Sequence, residues 1–252
     1  MPAPAETILI LGGTAEANLL TERLRQARPE ARIVLSLAGR THAPALPAGV
    51  EVRIGGFGGA AGLAEYLGAE HVVWLVDATH PFAAGISRNA AEAAEIADVQ
   101  RIALVRPPWE PVEGDRWTAA DCLGTARDAL PAGAKAFLAL GRQHLAPFRL
   151  RPDIAFVVRM IEPPDPPLPF PAEVVLGRPE VDAAAEATLF ARLAITHLVC
   201  RNSGGTASYA KIAAARHLSL PVVMIARAPE PPGPVVRTLD EALAVLGAAS
   251  AA

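Results

Sequence analysis

Short runs of β-branched and leucine residues, separated by alanine-rich segments of helical length, recur along almost the whole chain of 252 residues. The runs are short and rich in β-branched residues, the pattern expected of strands buried on both faces. Parallel strands joined by crossover helices are the arrangement that buries them so. The sequence therefore predicts an α/β fold. In the first half the predicted strands are 7–11 (TILIL), 32–37 (RIVLSL), 50–54 (VEVRI), 72–76 (VVWLV) and 101–105 (RIALV), with helices near 15–28, 60–68 and 84–97. In the second half the strands are 134–140, 154–160, 172–177, 196–200 and 221–226, with helices near 121–130, 180–192, 206–217 and 239–247. Between the two sets lies RPPWEPVEGDRW, residues 106–117, whose three prolines break the alternation and read as a linker or crossing loop. Two doubly wound parallel sheets are expected, in domains of residues 1–106 and 107–252. Two further proline-rich stretches, 162–171 and 228–234, either border a binding cleft or serve as exposed spacers.

Composition narrows the function. A net charge of −3 gives no global attraction to nucleic acid or to an anionic membrane, so recognition of an anion has to come from local placement of charge. The two cysteines, Cys122 and Cys200, stand in no metal-ligand or disulfide spacing, and no metal is expected. The start of the chain carries no secretion signal and no apolar run reaches membrane length, so the cytoplasm is the expected compartment and neither membrane nor nucleic acid an expected partner.

Two stretches carry the same four letters. ILILGGTAEANLL (8–20) and HLVCRNSGGTASYAKIAAA (197–215) each run from a strand through Gly-Gly-Thr-Ala toward a helix. A glycine turn there lets backbone N–H groups approach a phosphate, with the positive end of the helix dipole behind them. Gly12, Gly13 and Thr14 make the first turn; Ser203, Gly204, Gly205 and Thr206 make the second. The strict G-x-G-x-x-G pattern is absent, and a tight strand-to-helix turn that needs glycine for backbone reasons is an equal reading. After the second strand comes LSLAGRTH, with Ser36, Arg40 and Thr41 and no acid between them. An NAD site presents a carboxylate to the ribose 2′-hydroxyl at this place, whereas an NADP site supplies an arginine to the 2′-phosphate, so NADPH is expected over NADH.

Ligands of open α/β sheets bind beyond the carboxyl ends of the strands. Arg106, Arg142, Arg159, Arg178, Arg201 and Arg227 all fall at or near predicted strand ends, which forms an expected rim of guanidinium groups suited to a ligand with several carboxylates. One more cluster leaves a strand, in VDATHPFAAGISRNAAEAA (76–94): Asp77, Thr79 and His80, followed by Ser87 and Arg88. These side chains either contact a reacting ligand or, for Asp77 and Thr79, cap the next helix.

The segments ILGGTAEANLL, SLAGRT, DATHPFAAGISRNA and RNSGGTASYAKIAAARHLSLPVVMIAR, taken together, resemble the precorrin-6A reductase family of cobalamin biosynthesis over nearly the whole chain. The resemblance implies two Rossmann-like domains with a cleft between them, and hydride transfer from NADPH to a double bond of a contracted tetrapyrrole rich in carboxylates. It implies that Gly12, Gly13 and Thr14 hold the pyrophosphate, with Ser36, Arg40 and Thr41 toward the 2′-phosphate. Thr79, His80 and the turn from Ser203 to Thr206 would lie near the nicotinamide or the macrocycle, and Arg142, Gln143, Arg201 and Lys211 near substrate carboxylates. Asp77, His80 and Tyr209 are the candidates to donate a proton. Neighbouring enzymes of the pathway are implied as partners that pass the substrate on. Alternatives are the reductase of the cobalt-containing counterpart and a non-catalytic NADPH sensor; a short-chain dehydrogenase is disfavoured because Tyr209 and Lys211 lack Tyr-x-x-x-Lys spacing.

Overall fold

The computed structural model describes residues 6–39 and 46–247. The chain forms two compact units, one running up to Pro107 and resuming at Ala228, the other spanning Pro108–Arg227.

The first unit contains β1 (Thr7–Leu11), α1 (Ala15–Ala27), β2 (Arg32–Leu37), β3 (Glu51–Ile54), α2 (Ala60–Ala69), β4 (Val72–Asp77), α3 (Ala84–Ala97) and β5 (Gln100–Leu104). The second contains β6 (Trp117–Ala120), α4 (Leu123–Asp128), β7 (Lys135–Ala139), two single 3-10 turns at Arg142–His144 and Ala146–Leu150, β8 (Ala155–Met160), β9 (Ala172–Leu176), α5 (Ala183–Arg192), β10 (His197–Arg201), α6 (Ala210–His217) and β11 (Val222–Ile225). The chain then returns to the first unit with β12 (Val235–Val236) and α7 (Leu239–Val245).

All strand pairs are parallel, in the orders β3-β2-β1-β4-β5-β12 and β9-β8-β7-β10-β11-β6. Both sheets follow one plan: three strands step outward, the chain returns to the centre, and two strands step the other way. The order reverses between β1 and β4 in one sheet and between β7 and β10 in the other, and such reversals open the crevice where ligands of doubly wound sheets bind. The sixth place goes to β12 in the first sheet and to β6 in the second.

Period-two alternation divides the first core. Ile8 and Ile10 of β1 pack with Leu20 and Leu24 of α1 and with Leu243 and Leu246 at α7, while Leu9 and Leu11 face Leu63 and Leu67 of α2 and Ala90 and Ala93 of α3. In the second unit Phe137, Val157, Leu198 and Met224 pack against Phe190 of α5 and Ile212 of α6.

Three sequence expectations change. Residues 228–247 were assigned to the second domain, but Val235 and Val236 pair with Ala103 and Leu104, and Ala242, Leu243 and Leu246 enter the first core. The outer edge of β5 needs a partner, and β12 supplies it. The linker read at 106–117 ends in β6, a four-residue edge strand with no β-branched apolar residue to announce it. Helix α6 starts at Ala210 rather than near 206: after Gly204 and Gly205, with φ values of 65° and 71°, residues 207–209 form a turn before the helix begins.

Arg159 does not reach the rim. It lies within β8, with its Nη1 2.6 Å from Glu186 Oε1 on α5, and the two side chains are only 8% and 0% exposed. The same Glu186 oxygen accepts the Glu180 N–H at 2.7 Å, while Glu186 Oε2 and Arg159 Nε have no partner among the described residues. Breaking such a pair leaves an uncompensated buried charge, at a cost of about 3–5 kcal/mol. Arg159→Met is therefore expected to lower the melting temperature by about 10 °C at 2–4 °C per kcal/mol. The double change Arg159→Met/Glu186→Leu should recover most of that loss, and equal melting of wild type and the single variant would contradict this reading.

Candidate functional site

In the first unit the chain leaves β1 at the strand reversal through Gly12, Gly13 and Thr14. The Gly12 N–H donates to the Ser36 carbonyl at 2.9 Å, drawing the turn against β2. A Cβ on Gly12 would stand 2.6 Å from Leu35 Cδ1, so a side chain there would force the buried Leu35 to shift. Gly13 differs: its φ is +104° and a Cβ would meet nothing within 4 Å, so open space lies beside it.

Thr14 caps α1 and ties it to β4. Its Oγ1 accepts the Ala17 N–H at 3.1 Å and donates to the Ala78 carbonyl at 2.8 Å, so one hydroxyl spans the reversal. The N–H groups of the first turn beyond the cap have no intrahelical acceptor, which leaves positive potential at the helix start.

Across the reversal, Asp77 ends β4 as a buried carboxylate. Its Oδ1 accepts the Thr79 N–H at 3.1 Å and the Thr79 hydroxyl at 2.6 Å. Thr79 Oγ1 also lies 3.5 Å from the Ser87 hydroxyl of α3. The residue capping α3 is Ala83, with no side-chain cap, so Asp77 and Thr79 do not cap that helix. Asp77 instead anchors Thr79, which leaves it poorly placed to give a proton outward. His80 Nδ1 accepts the Phe82 N–H at 3.2 Å, and the neutral ring then carries its proton on Nε2. Ser36 is buried within the sheet and supports the turn through its carbonyl rather than reaching outward. Arg40 and Thr41 lie outside the described residues.

In the second unit Arg142, Gln143 and His144 follow β7, and Arg201 ends β10. Arg201 Nη1 is 3.1 Å from His144 Nε2; a guanidinium only donates, so His144 is the acceptor. Arg142 and Gln143 are exposed, and Arg142 Nη2 donates to the Pro166 carbonyl at 3.0 Å. The loop after Arg201 is clamped from two sides. Asn202 and the Trp109 backbone exchange hydrogen bonds of 2.7 and 2.9 Å, and Trp109 Nε1 donates to the Gly205 carbonyl at 2.7 Å. Arg227 donates to the carbonyls of Asn202 and Ser203 at 2.7 and 2.8 Å.

The repeated Gly-Gly-Thr-Ala thus marks places that differ within a shared plan. The first follows the central strand β1; the second follows β10, which corresponds in its sheet to β4. The counterpart of the first turn in the second unit is Gly141-Arg142-Gln143, and the counterpart of the second in the first unit is the Asp77–His80 exit.

Two expected site residues turn inward. Lys211 is buried, its ammonium donating to the Ser208 carbonyl and lying 4.8 Å from the centre of the Trp109 ring, so it braces the loop instead of meeting a substrate carboxylate. The Tyr209 hydroxyl accepts from Arg216 Nη2 at 2.7 Å, and Arg216 pairs with the buried Asp115 at 2.9 Å. Arg216 lies two turns along α6, toward the opposite edge of the sheet, so the hydroxyl points away from the strand exits. Arg106 is paired as well, its Nη1 2.6 Å from Glu16 Oε2. Of the expected rim, Arg142, Arg178 and Arg201 stand at the strand exits of the second unit, with Arg227 holding the loop beside them.

His144, Trp109 and Glu16 were not singled out from the sequence. Trp109 hides in a proline-rich stretch, and the partners of His144 and Glu16 lie 57 and 90 residues away in the chain. Cys200 is fully buried, and burial pushes its thiol up to about 11; it is a packing residue.

Comparison with known proteins agrees with this architecture. Residues 7–247 match the family model described as precorrin-6x reductase CbiJ/CobK. A precorrin-6A reductase of Sinorhizobium sp is 48% identical over 239 residues, covering 94% of this chain and 90% of that one. The precorrin-6A reductase of Rhodobacter capsulatus is 44% identical, with 92% of each chain covered. The solved structure of a CobK precorrin-6A reductase superposes with a TM-score of 0.89 at 42% identity, covering 97% of this chain and 98% of that one. The match spans both strand reversals, from the first strand to the end of the last helix, and this chain belongs to the precorrin-6x reductase family CbiJ/CobK.

Proposed function

We propose that the chain reduces precorrin-6A with NADPH, the dinucleotide held at the glycine turn after β1 and the substrate's carboxylates received by arginines at the strand exits of the second unit. The protein is an oxidoreductase of cobalamin biosynthesis that acts on precorrin-6A, a small-molecule tetrapyrrole. The shared name of its relatives lends no support to a cobalt-specific reductase or to a non-catalytic sensor.

The observation that carries the cofactor reading is the open space beside Gly13, at the start of a capped helix and at a strand reversal. A dinucleotide pyrophosphate fits there because no Cβ fills the approach and the first-turn N–H groups have no other acceptor. When bound, the cofactor supplies hydride from its nicotinamide ring. Gly12 and Ser36 shape the turn, Gly13 and Thr14 receive the pyrophosphate, and Arg40 and Thr41 serve the 2′-phosphate; the absence of an acid in LSLAGRTH favours NADPH over NADH.

Of the three proton-donor candidates, Asp77 is engaged by Thr79 and Tyr209 by Arg216, so the role falls to His80 at the exit of β4. Thr79, fixed by Asp77, offers a hydroxyl beside it. In the second unit the clamped turn Ser203–Thr206 orients the ligand, while Arg142, Gln143 and Arg201 take its carboxylates. A reducing cytoplasm suits the free thiols of Cys122 and Cys200. No helix among the described residues is long and apolar enough to cross a membrane.

Arg201→Gln tests the substrate half. Loss of one charge-assisted contact, about 1.5–3 kcal/mol, should raise KM for precorrin-6A by about tenfold or more and leave the NADPH Kd unchanged. The wild-type KM should rise with ionic strength, and that dependence should weaken in the variant. A KM equal to wild type would remove Arg201 from the site.

A further inference from the structure

Glu16 sits where the cofactor reading least welcomes an acid. It is the second residue of α1, two positions after the cap Thr14. Long helical side chains lean toward the N-terminus, so a Glu16 carboxylate without a partner would lean toward the N–H groups assigned above to the pyrophosphate. Arg106 answers it from a distance. It follows the end of β5 by two residues on the same sheet edge, and the order β1-β4-β5 places that strand two spacings, about 10 Å, from β1. The contact between Arg106 Nη1 and Glu16 Oε2 is nevertheless 2.6 Å, with the side chains only 15% and 25% exposed. The bridge therefore crosses the exit of β4, where Asp77, Thr79 and His80 leave the sheet. An acid placed only to complement the helix dipole would need no arginine two strands away.

We infer that the Glu16–Arg106 pair borders the cofactor site without touching the dinucleotide, and that Arg106 is a positioning residue that holds the Glu16 charge away from the dinucleotide phosphates. The inference rests on the cofactor reading above. Its signature is asymmetry: losing the arginine leaves a lone acid facing a polyanion, whereas losing both partners leaves a neutral site.

The test is direct titration of NADPH into the substrate-free protein, followed by nicotinamide fluorescence, for wild type, Arg106→Gln, Glu16→Gln and the double variant. Arg106→Gln should weaken binding about tenfold, with a gap that narrows at high salt. Glu16→Gln and the double variant should bind within about threefold of wild type. Arg106→Gln and the double variant lose the same ion pair, so a purely structural role would affect them alike and only the unpaired charge separates them. Wild-type affinity in Arg106→Gln, or equal weakening in the double variant, would overturn the inference. Gly13→Val, titrated alongside, keeps the two readings apart: if it binds NADPH as wild type does, the glycine turn is not the cofactor site and both readings fall. If it fails to bind while Arg106→Gln binds normally, only the ion-pair inference falls.

Discussion

Valine at Gly13 is expected to weaken NADPH binding by about a hundredfold, the equivalent of about 2.7 kcal/mol or one strong hydrogen bond to a charged group, while the fold survives. Gly13 has φ +104°, and a Cβ there meets nothing within 4 Å, so the substitution stores backbone strain without colliding with the core. Strain of this kind costs about 1–3 kcal/mol, which lowers the melting temperature of a chain this size by about 5 °C. The space the side chain takes is the approach to the α1 N–H groups, so the loss falls on the cofactor. Gly12→Ala should behave differently, because its Cβ meets Leu35 Cδ1 at 2.6 Å inside a buried sheet face. Its first effect is on packing and stability. Titration of NADPH together with thermal melting separates the two; a Gly13→Val protein with wild-type affinity would contradict the site.

The second large effect is expected from ending the chain after Arg227. This removes β12 and α7, and with them Val236, Ala242, Leu243 and Leu246, all buried in the first core. Each large aliphatic lost from a core costs about 2–5 kcal/mol, so the sum matches or exceeds the whole stability of an ordinary domain, about 5–15 kcal/mol. The outer edge of β5 would also be bared to pairing with other chains. The truncated protein should lose cooperative melting of the first unit and all NADPH binding, although no residue assigned to the cofactor is deleted. Retained binding at wild-type affinity would show that residues 228–247 are dispensable to that unit.

The same segment shows where sequence reasoning reaches its end. The central strands are legible because they are largely apolar runs buried on both faces, β1 and β11 at every residue, a pattern set by local composition; the edge strands β3 and β9 are shorter in apolar residues and more exposed. β12 has two residues between proline-rich loops and β6 reads Trp-Thr-Ala-Ala; both gain their structure from the strand they pair with, β5 and β11. The return of the chain to its first sheet is a tertiary fact with no local signal. At the site, Gly12–Thr14 and Asp77–His80 stand out because glycine and small polar residues at a strand exit have few other reasons to occur. Tyr209 and Lys211 lie elsewhere than a helix opening directly at the glycine turn would put them. With α6 beginning at Ala210, the Tyr209 side chain runs along it to Arg216 and Lys211 folds under Trp109. Arg159 looked like a rim residue because its counter-ion, Glu186, lies on a helix 27 residues on.

The most direct test of the central claim is anaerobic turnover of precorrin-6A by the purified protein, with NADPH and NADH compared under the same conditions and the loss of reduced nicotinamide followed against product mass. The account expects one NADPH consumed per product, a mass gain of one hydride plus one proton, and little turnover with NADH. Tight NADPH binding without reduction of precorrin-6A, or equal use of NADH, would contradict it.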